Sequence, residues 1–293
     1  MKASLCLSVP PHITELISTL EGAGHRAYVV GGAVRDLLLG RTPADWDIAT
    51  DALPDEVKRI FPHHVPTGER FGTISVAVTD ECGEQRLVEV TTFRSDGLYL
   101  DGRRPVQVSF GHTLVEDLAR RDFTINALAW HPEEGLIDPY GGLADLRRRL
   151  ISAVGDPAAR FREDALRMLR AVRLAAQLRF RLSRPVGQAI CTHRELIRRV
   201  AVERIQQELA KLLVSEDPRR GMRLLRATGL LALLLPELLA GYGVRQNRFH
   251  AYSIYTHCLL ALQHAPPRLD LRLAALFHDA GKSRTQSVAE DGF

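Results

Sequence analysis

Residues 31–50 read GGAVRDLLLGRTPADWDIAT, and the fold turns on how that stretch divides. HRAYVV before it has strand character and runs into Gly31 and Gly32, after which AVRDLLLG predicts a short helix ended by Gly40. Asp45 and Asp47 then flank a single tryptophan. In an extended segment side chains alternate, so these two carboxylates share one face while Trp46 and Ile48 take the other. Carboxylates that close repel unless a cation sits between them. Mg²⁺ suits such a pair, since it takes one or two carboxylates together with substrate phosphate oxygens. A glycine pair at a helix start lets backbone N–H groups approach a phosphate, and Arg35 adds charge one turn in. A third acid would complete the shell or help deprotonate an attacking hydroxyl. Glu89 is the candidate, mid-strand in LVEVTT between Val88 and Val90, which face the core; the alternative is a solvated strand residue.

Further along, GTISVAV and RLVEVTTF are period-2 runs joined by TDECGEQ, a hairpin signal. Past residue 150 the pattern becomes helical in GDPAARFREDALRMLRAVRLAAQLRF, AVERIQQELAKLLVSEDP and GMRLLRATGLLALLLPEL, with Asp156 as N-cap and Pro157 at N1. The expected fold is therefore α+β: a small mixed-sheet head over 1–147, a helical neck over 148–225, and a helical body over 226–293, with no strand after the head.

Charge is unevenly distributed. The net charge is only +4, yet residues 147–226 hold 20 basic and 8 acidic side chains, against 19 and 27 in the remainder. Only Lys2, Lys58, Lys211 and Lys282 are lysines, so nearly all the positive charge is guanidinium, suited to bidentate phosphate contacts. A polyanion partner follows, RNA or DNA rather than a membrane. Cys6, Cys82, Cys191 and Cys258 have no paired spacing, which argues against a zinc knuckle or a disulfide framework. No apolar run approaches the ~20 residues a membrane span needs, and a cytoplasmic location is expected.

GGAVRDLLLG with DWDIAT, then RRDFTINAL, DPYGG and REDALRMLRAVR, in that order, resembles the bacterial-type tRNA nucleotidyltransferase and poly(A) polymerase family of the polymerase β superfamily. The likeness runs from about Tyr28 to Leu213. It implies a polymerase β-like head in which Asp45 and Asp47 hold Mg²⁺, while Glu89 remains the candidate third acid from the strand pattern alone. It also implies that Gly32, Arg35 and Arg121 contact a nucleotide, and the glycine pair adds Gly31 as a candidate beside them. The implied reaction is template-independent addition of C, A or both to tRNA 3′ ends from CTP and ATP, with pyrophosphate released. An A-adding enzyme or a poly(A) polymerase is the alternative within the fold; a non-catalytic RNA-binding module or a phosphohydrolase lies outside it. No protein partner is implied. RSDGLYLDGRRPVQVSF looks like the family's flexible loop, intact here, which leans toward completing the CCA end or adding only the final A.

The segment after the head offers a way to choose a base. Three-residue steps along a helix leave neighbours about 60° apart, so Asp164, Arg167 and Arg170 can converge on one ligand, with Arg173 further round. A carboxylate only accepts and a guanidinium only donates. Cytosine and adenine each present an amino donor beside a ring-nitrogen acceptor, whereas guanine and uracil present the reverse. An Asp–Arg pair thus matches C and A, and each mismatch leaves a buried polar group unpaired at roughly 1–3 kcal/mol. The resemblance gives the corresponding Asp and Arg this same role.

Near the end, HAYSIYTH and LRLAALFHDAGKSRT resemble an HD-type phosphohydrolase region, with His257, His278 and Asp279 as candidate metal ligands. Sites of that type usually add a further Asp downstream, and the sequence stops at Phe293 in a polar run, so an incomplete, inactive site and a longer natural chain are expected. His63, His64 and His250 read as surface or loop residues.

Overall fold

The computed structural model describes residues 7–96, 108–110, 113–244 and 251–285. Two compact units emerge, Met1–Arg148 with Ser152–Gly155, and Arg149–Ile151 with Asp156–Phe293.

The first unit contains β1 (Ala27–Val30), β2 (Asp47–Thr50), β3 (His64–Gly68), β4 (Thr73–Thr79), β5 (Gln85–Thr92), β6 (Arg94–Asp96), β7 (Val108–Phe110), β8 (Ala129–His131) and β9 (Gly135–Ile137). Seven of them form one mixed sheet in the order β3-β4-β5-β2-β1-β8-β9, which puts β2 at its centre. β4 and β5 make the expected antiparallel hairpin, from Thr73↔Thr91 to Thr79↔Gln85. β2 runs parallel to β5 and antiparallel to β1. β6 and β7 pair separately as the described ends of the expected flexible loop; its residues 97–107 lie outside the described residues, as do Cys6 and His250.

Strand alternation sends Ile48, Ile74, Val76, Val88 and Val90 to one face, where all are buried. Against that face lie α1 (Pro11–Gly22), opened by proline at its first turn, and, after the short α2 (Gly32–Leu38), α3 (Pro54–Ile60). The other face carries a second core cluster of Tyr28, Val30, Ala49, Phe93, Leu118, Ala127, Ala129 and Val154. Leu118 comes from α4 (Leu114–Ala119), whose start is fixed by a capping box between Thr113 and Glu116. α5 (Gly142–Arg148) closes the unit.

The second unit is built around α7. It contains β10 (Leu150–Ile151), α6 (Pro157–Glu163), α7 (Leu166–Gln177), β11 (Arg181–Leu182), α8 (Arg184–His193), α9 (Val202–Leu213), α10 (Pro218–Ala227), α11 (Leu230–Leu234), α12 (Pro236–Ala240), α13 (Ile254–His264), α14 (Leu269–Phe277) and α15 (Lys282–Thr285). α7 buries Leu166, Met168, Leu169, Ala171, Val172, Leu174, Ala175 and Ala176, and its three alanines let neighbouring helices approach closely. It packs against α9 and α10.

Two details refine the expected layout. The remainder is not free of strands: Leu150 and Ile151 pair in parallel with Arg181 and Leu182, and the left-handed residues Arg149 and Arg179 turn the chain into that ladder. The boundary expected at 225/226 falls inside α10, which packs on both α7 and α13. A cut there would expose the buried side of that helix, Met222 and Leu225 included.

No described helix is long and apolar enough to cross a membrane.

Candidate active site

The head site is assembled by three adjacent strands. Asp47 is the first residue of β2, opposite Val30 on β1 and Glu89 on β5. Aligned residues of neighbouring strands share a face, so Asp47 and Glu89 stand side by side. The Glu89 amide also donates to the Trp46 carbonyl at 3.2 Å, which locks this register. Asp45 lies in the exposed bend just before β2 rather than in the strand. Its charge nonetheless reaches the same place. Partial desolvation, then Asp47 and Asp45 in turn, pushes the Glu89 carboxyl above its usual range. The three expected acids therefore form one electrostatically coupled group.

Gly31 forms the floor next to them. Its φ of 75° and ψ of −130° suit glycine alone, and a Cβ there would stand 2.8 Å from Arg121 Nη1 and 3.6 Å from Asp47 Oδ2. The turn therefore brings Arg121 beside Asp47. The Gly31 amide donates to the Leu128 carbonyl at 3.0 Å, so the expectation that both glycine amides face a phosphate is narrowed to Gly32 and the turn it begins.

Each arginine is held by a residue that the sequence reading did not single out. Arg35 Nε and Nη2 donate to the Asp36 carboxylate at 2.9 and 2.8 Å, and Nη1 donates to Asn126 Oδ1 at 2.8 Å. Arg121 Nη2 donates to Asp117 Oδ2 at 3.1 Å, while Arg120 occupies Oδ1. The Asp117 side chain is 1% exposed. Burial pushes its carboxyl up, but Arg121 and Arg120 outweigh that and hold it below the usual range. The i, i+3 and i, i+4 spacing of EDLARR was the available sequence signal for this cluster.

In the second unit the expected single helix is broken. α6 ends at Glu163 and α7 begins at Leu166, with Asp164 extended between them at φ −145°, ψ 105°. Three-residue helical steps therefore do not place Asp164; its own hydrogen bonds do. Asp164 Oδ1 caps the Leu166 amide at 3.1 Å, and Arg204 of α9 donates to both carboxylate oxygens. Arg167 Nη1 donates to Glu163 Oε2 at 2.6 Å. Arg170 is half-buried further along α7. Arg173 turns toward α9, where Glu208 accepts from its Nε, so it ties two helices together.

A third group lies toward the end of the described chain. His257 on α13 and His278 with Asp279 at the end of α14 bring three candidate ligand atoms within 4.8 Å of one another, the one such group among the described residues. His278 Nδ1 donates to the Ala275 carbonyl at 2.9 Å, which leaves Nε2 facing His257. Lys282 already supplies a cation to Asp279 at 2.8 Å. His63 is exposed, and His64 opens β3 with Nδ1 2.7 Å from the Phe61 carbonyl.

The class follows from this head. Residues 27–152 match the poly A polymerase head domain, and residues 179–241 match the family described as "Probable RNA and SrmB- binding site of polymerase A". Three similar proteins narrow it. The CCA-adding enzyme of Levilactobacillus brevis is 51% identical over 215 residues, covering 73% of this chain and 53% of that protein. The crystal structure of the Bacillus stearothermophilus CCA-adding enzyme in complex with CTP is 37% identical, with a TM-score of 0.72, and is matched over 100% of this chain and 74% of that one. A tRNA nucleotidyltransferase complexed with a primer tRNA and an incoming ATP analog is 28% identical with a TM-score of 0.64, over 90% of this chain and 75% of that one. The chain belongs to the CCA-adding enzyme family. It spans about half the length of the curated relatives it matches.

Proposed function

We propose that the protein is a template-independent nucleotidyltransferase that adds C and A to tRNA 3′ ends from CTP and ATP and releases pyrophosphate. The observation that carries the reading is the register Asp47↔Glu89, with Asp45 acting on the same carboxyl and Gly31 setting Arg121 beside Asp47. Solved relatives bound to CTP, or to tRNA with an ATP analog, support the substrates. A cytoplasmic location belongs to the same reading.

The donor set fits a divalent cation. Three carboxylates supply hard oxygens, and the burial and like charges that raise the Glu89 carboxyl are what a cation would offset. Asp45 and Asp47 would hold Mg²⁺, with Glu89 beside them. When bound, such an ion lowers the pKa of an attacking hydroxyl and offsets charge on a triphosphate. Around it, Arg35 and Arg121 receive the phosphates, each held in place by a neighbouring acid. Asp164 and Arg167 read the Watson–Crick edge, accepting from an amino group and donating to a ring nitrogen. Arg170 adds charge on α7, and Arg173 acts through Glu208 by positioning that helix. The arginine-rich second unit holds the RNA backbone by shape and charge.

Sequencing the products of a tRNA that ends before CCA, incubated with CTP, ATP or both, tests the reading. Addition of CCA with both nucleotides is expected. Addition of A only to tRNA already ending in CC would make it an A-adding enzyme, and long A tails a poly(A) polymerase. Incorporation unchanged in Asp45→Ala would remove the active site from the head.

A second reading rests on the compact His257, His278 and Asp279 group, whose two imidazoles and carboxylate suit a transition metal. A phosphohydrolase there would release phosphate from cyclic phosphodiesters, and would lose that activity in His278→Ala but not in Asp45→Ala.

A further inference from the structure

Asp164 does not stand alone in the second unit. Its carboxylate receives three donors: the Leu166 amide at 3.1 Å and Arg204 Nη1 at 3.3 Å on Oδ1, and Arg204 Nη2 at 2.7 Å on Oδ2. An ionised carboxylate offers about four acceptor positions, two per oxygen. Oδ1 is filled and Oδ2 has one position left. The side chain is 15% exposed, so the carboxylate is not sealed within the helical packing.

We infer that Arg204 is a positioning residue for base selection: its fork fixes the plane of the Asp164 carboxylate and leaves a single acceptor for one amino group. The inference rests on the proposed base-reading role of Asp164 and deepens it. A planar guanidinium donating to both oxygens removes rotation about the terminal carboxyl bond, which a lysine ammonium cannot do. Without the fork, only the Leu166 amide holds the carboxyl group, which can then tilt toward water or another donor, so the penalty for a base presenting a carbonyl there falls. Arg204 sits one helical turn from Glu208, which holds Arg173 from the same side of α9. α9 thus grips both ends of the segment that reads the base. Arg204 lies 40 residues beyond Asp164, outside the run REDALRMLRAVR, and no local spacing points to it.

The test is equilibrium binding of CTP, ATP, UTP and GTP to the full chain and to Arg204→Gln, Arg204→Lys and Asp164→Ala, with thermal melts to check folding. The expected result is that the wild type prefers CTP and ATP. Arg204→Gln should lose about tenfold of that preference while melting as a folded protein, and Arg204→Lys should recover only part of it. A single unchanged preference in Arg204→Gln, beside a lost one in Asp164→Ala, overturns the role of Arg204 and leaves base reading by Asp164 standing. Equal binding of all four nucleotides by the wild type, or an unchanged preference in Asp164→Ala, overturns the base-reading role itself and this inference with it. If Arg204→Gln fails to fold, Arg204→Lys carries the comparison: full wild-type preference there contradicts the need for a fork.

Discussion

Asp47 and Glu89 face each other across a parallel strand pair at the centre of the sheet, and the Glu89 carboxyl is raised first by burial and then by the charges of Asp47 and Asp45. Unlike the ion pairs elsewhere in the molecule, this contact opposes folding when both groups are ionised.

The sign of that effect sets the first prediction. Because the folded pKa of Glu89 is raised, the folded state holds its proton over a pH range where the unfolded chain has released it. The contribution is therefore fully present below the unfolded pKa and is lost as pH rises through the folded one. Glu89→Gln should raise Tm at pH 7 in metal-free buffer and leave it nearly unchanged at pH 4. Asp47→Asn should bring the Glu89 carboxyl back toward its ordinary value, read by carboxyl NMR titration.

Asp117 carries the opposite sign. Its folded pKa is lowered, so its stabilisation is present above the unfolded pKa and lost as pH falls through the folded one. Asp117→Ala leaves Arg120 and Arg121 without their shared acid and should cost about 3 kcal/mol or more in urea unfolding at pH 7. It should also weaken CTP binding, because Arg121 loses its orientation beside Asp47.

Two glycines with positive φ separate strain from crowding. Gly40, at φ 68°, has open space around a would-be Cβ, and Gly40→Ala should cost only about 1 kcal/mol. Gly31→Ala adds a clash with Arg121 to its strained backbone, so it should cost about 1–3 kcal/mol from the backbone alone and weaken triphosphate binding as well. Melts and CTP titrations of the two variants, side by side, make the comparison.

The His257, His278 and Asp279 group supplies a prediction independent of the head. Ni²⁺ or Mn²⁺ titrated into the protein should bind there and compete with Lys282 for Asp279. His278→Ala should abolish that binding, followed by calorimetry, without affecting nucleotide binding.

What the sequence made legible was local. Period-2 patterning in GTISVAV and RLVEVTTF gave the hairpin, and glycine at the end of HRAYVV gave the turn, because each depends on neighbouring residues. The likeness to the family rested on motifs of the same local kind. The break at Asp164 was hidden inside REDALRMLRAVR, whose residues all suit a helix; the extended conformation is fixed by Arg204, which arrives from another helix. The ladder of Leu150–Ile151 with Arg181–Leu182 escaped for a similar reason, since two-residue strands carry no periodicity. Asp117 looked like an ordinary charged position in a short helix, and only burial beside Leu118 shows that it organises two arginines.

The most direct measurement is Mn²⁺ binding in the presence of CTP, followed by electron paramagnetic resonance in the wild type and in Asp45→Asn, Asp47→Asn and the double variant. Tight, triphosphate-dependent Mn²⁺ binding that weakens in each single variant and vanishes in the double one is the expected result. Mn²⁺ and CTP binding together, with undiminished affinity, when both carboxylates are gone would contradict a metal held by Asp45 and Asp47.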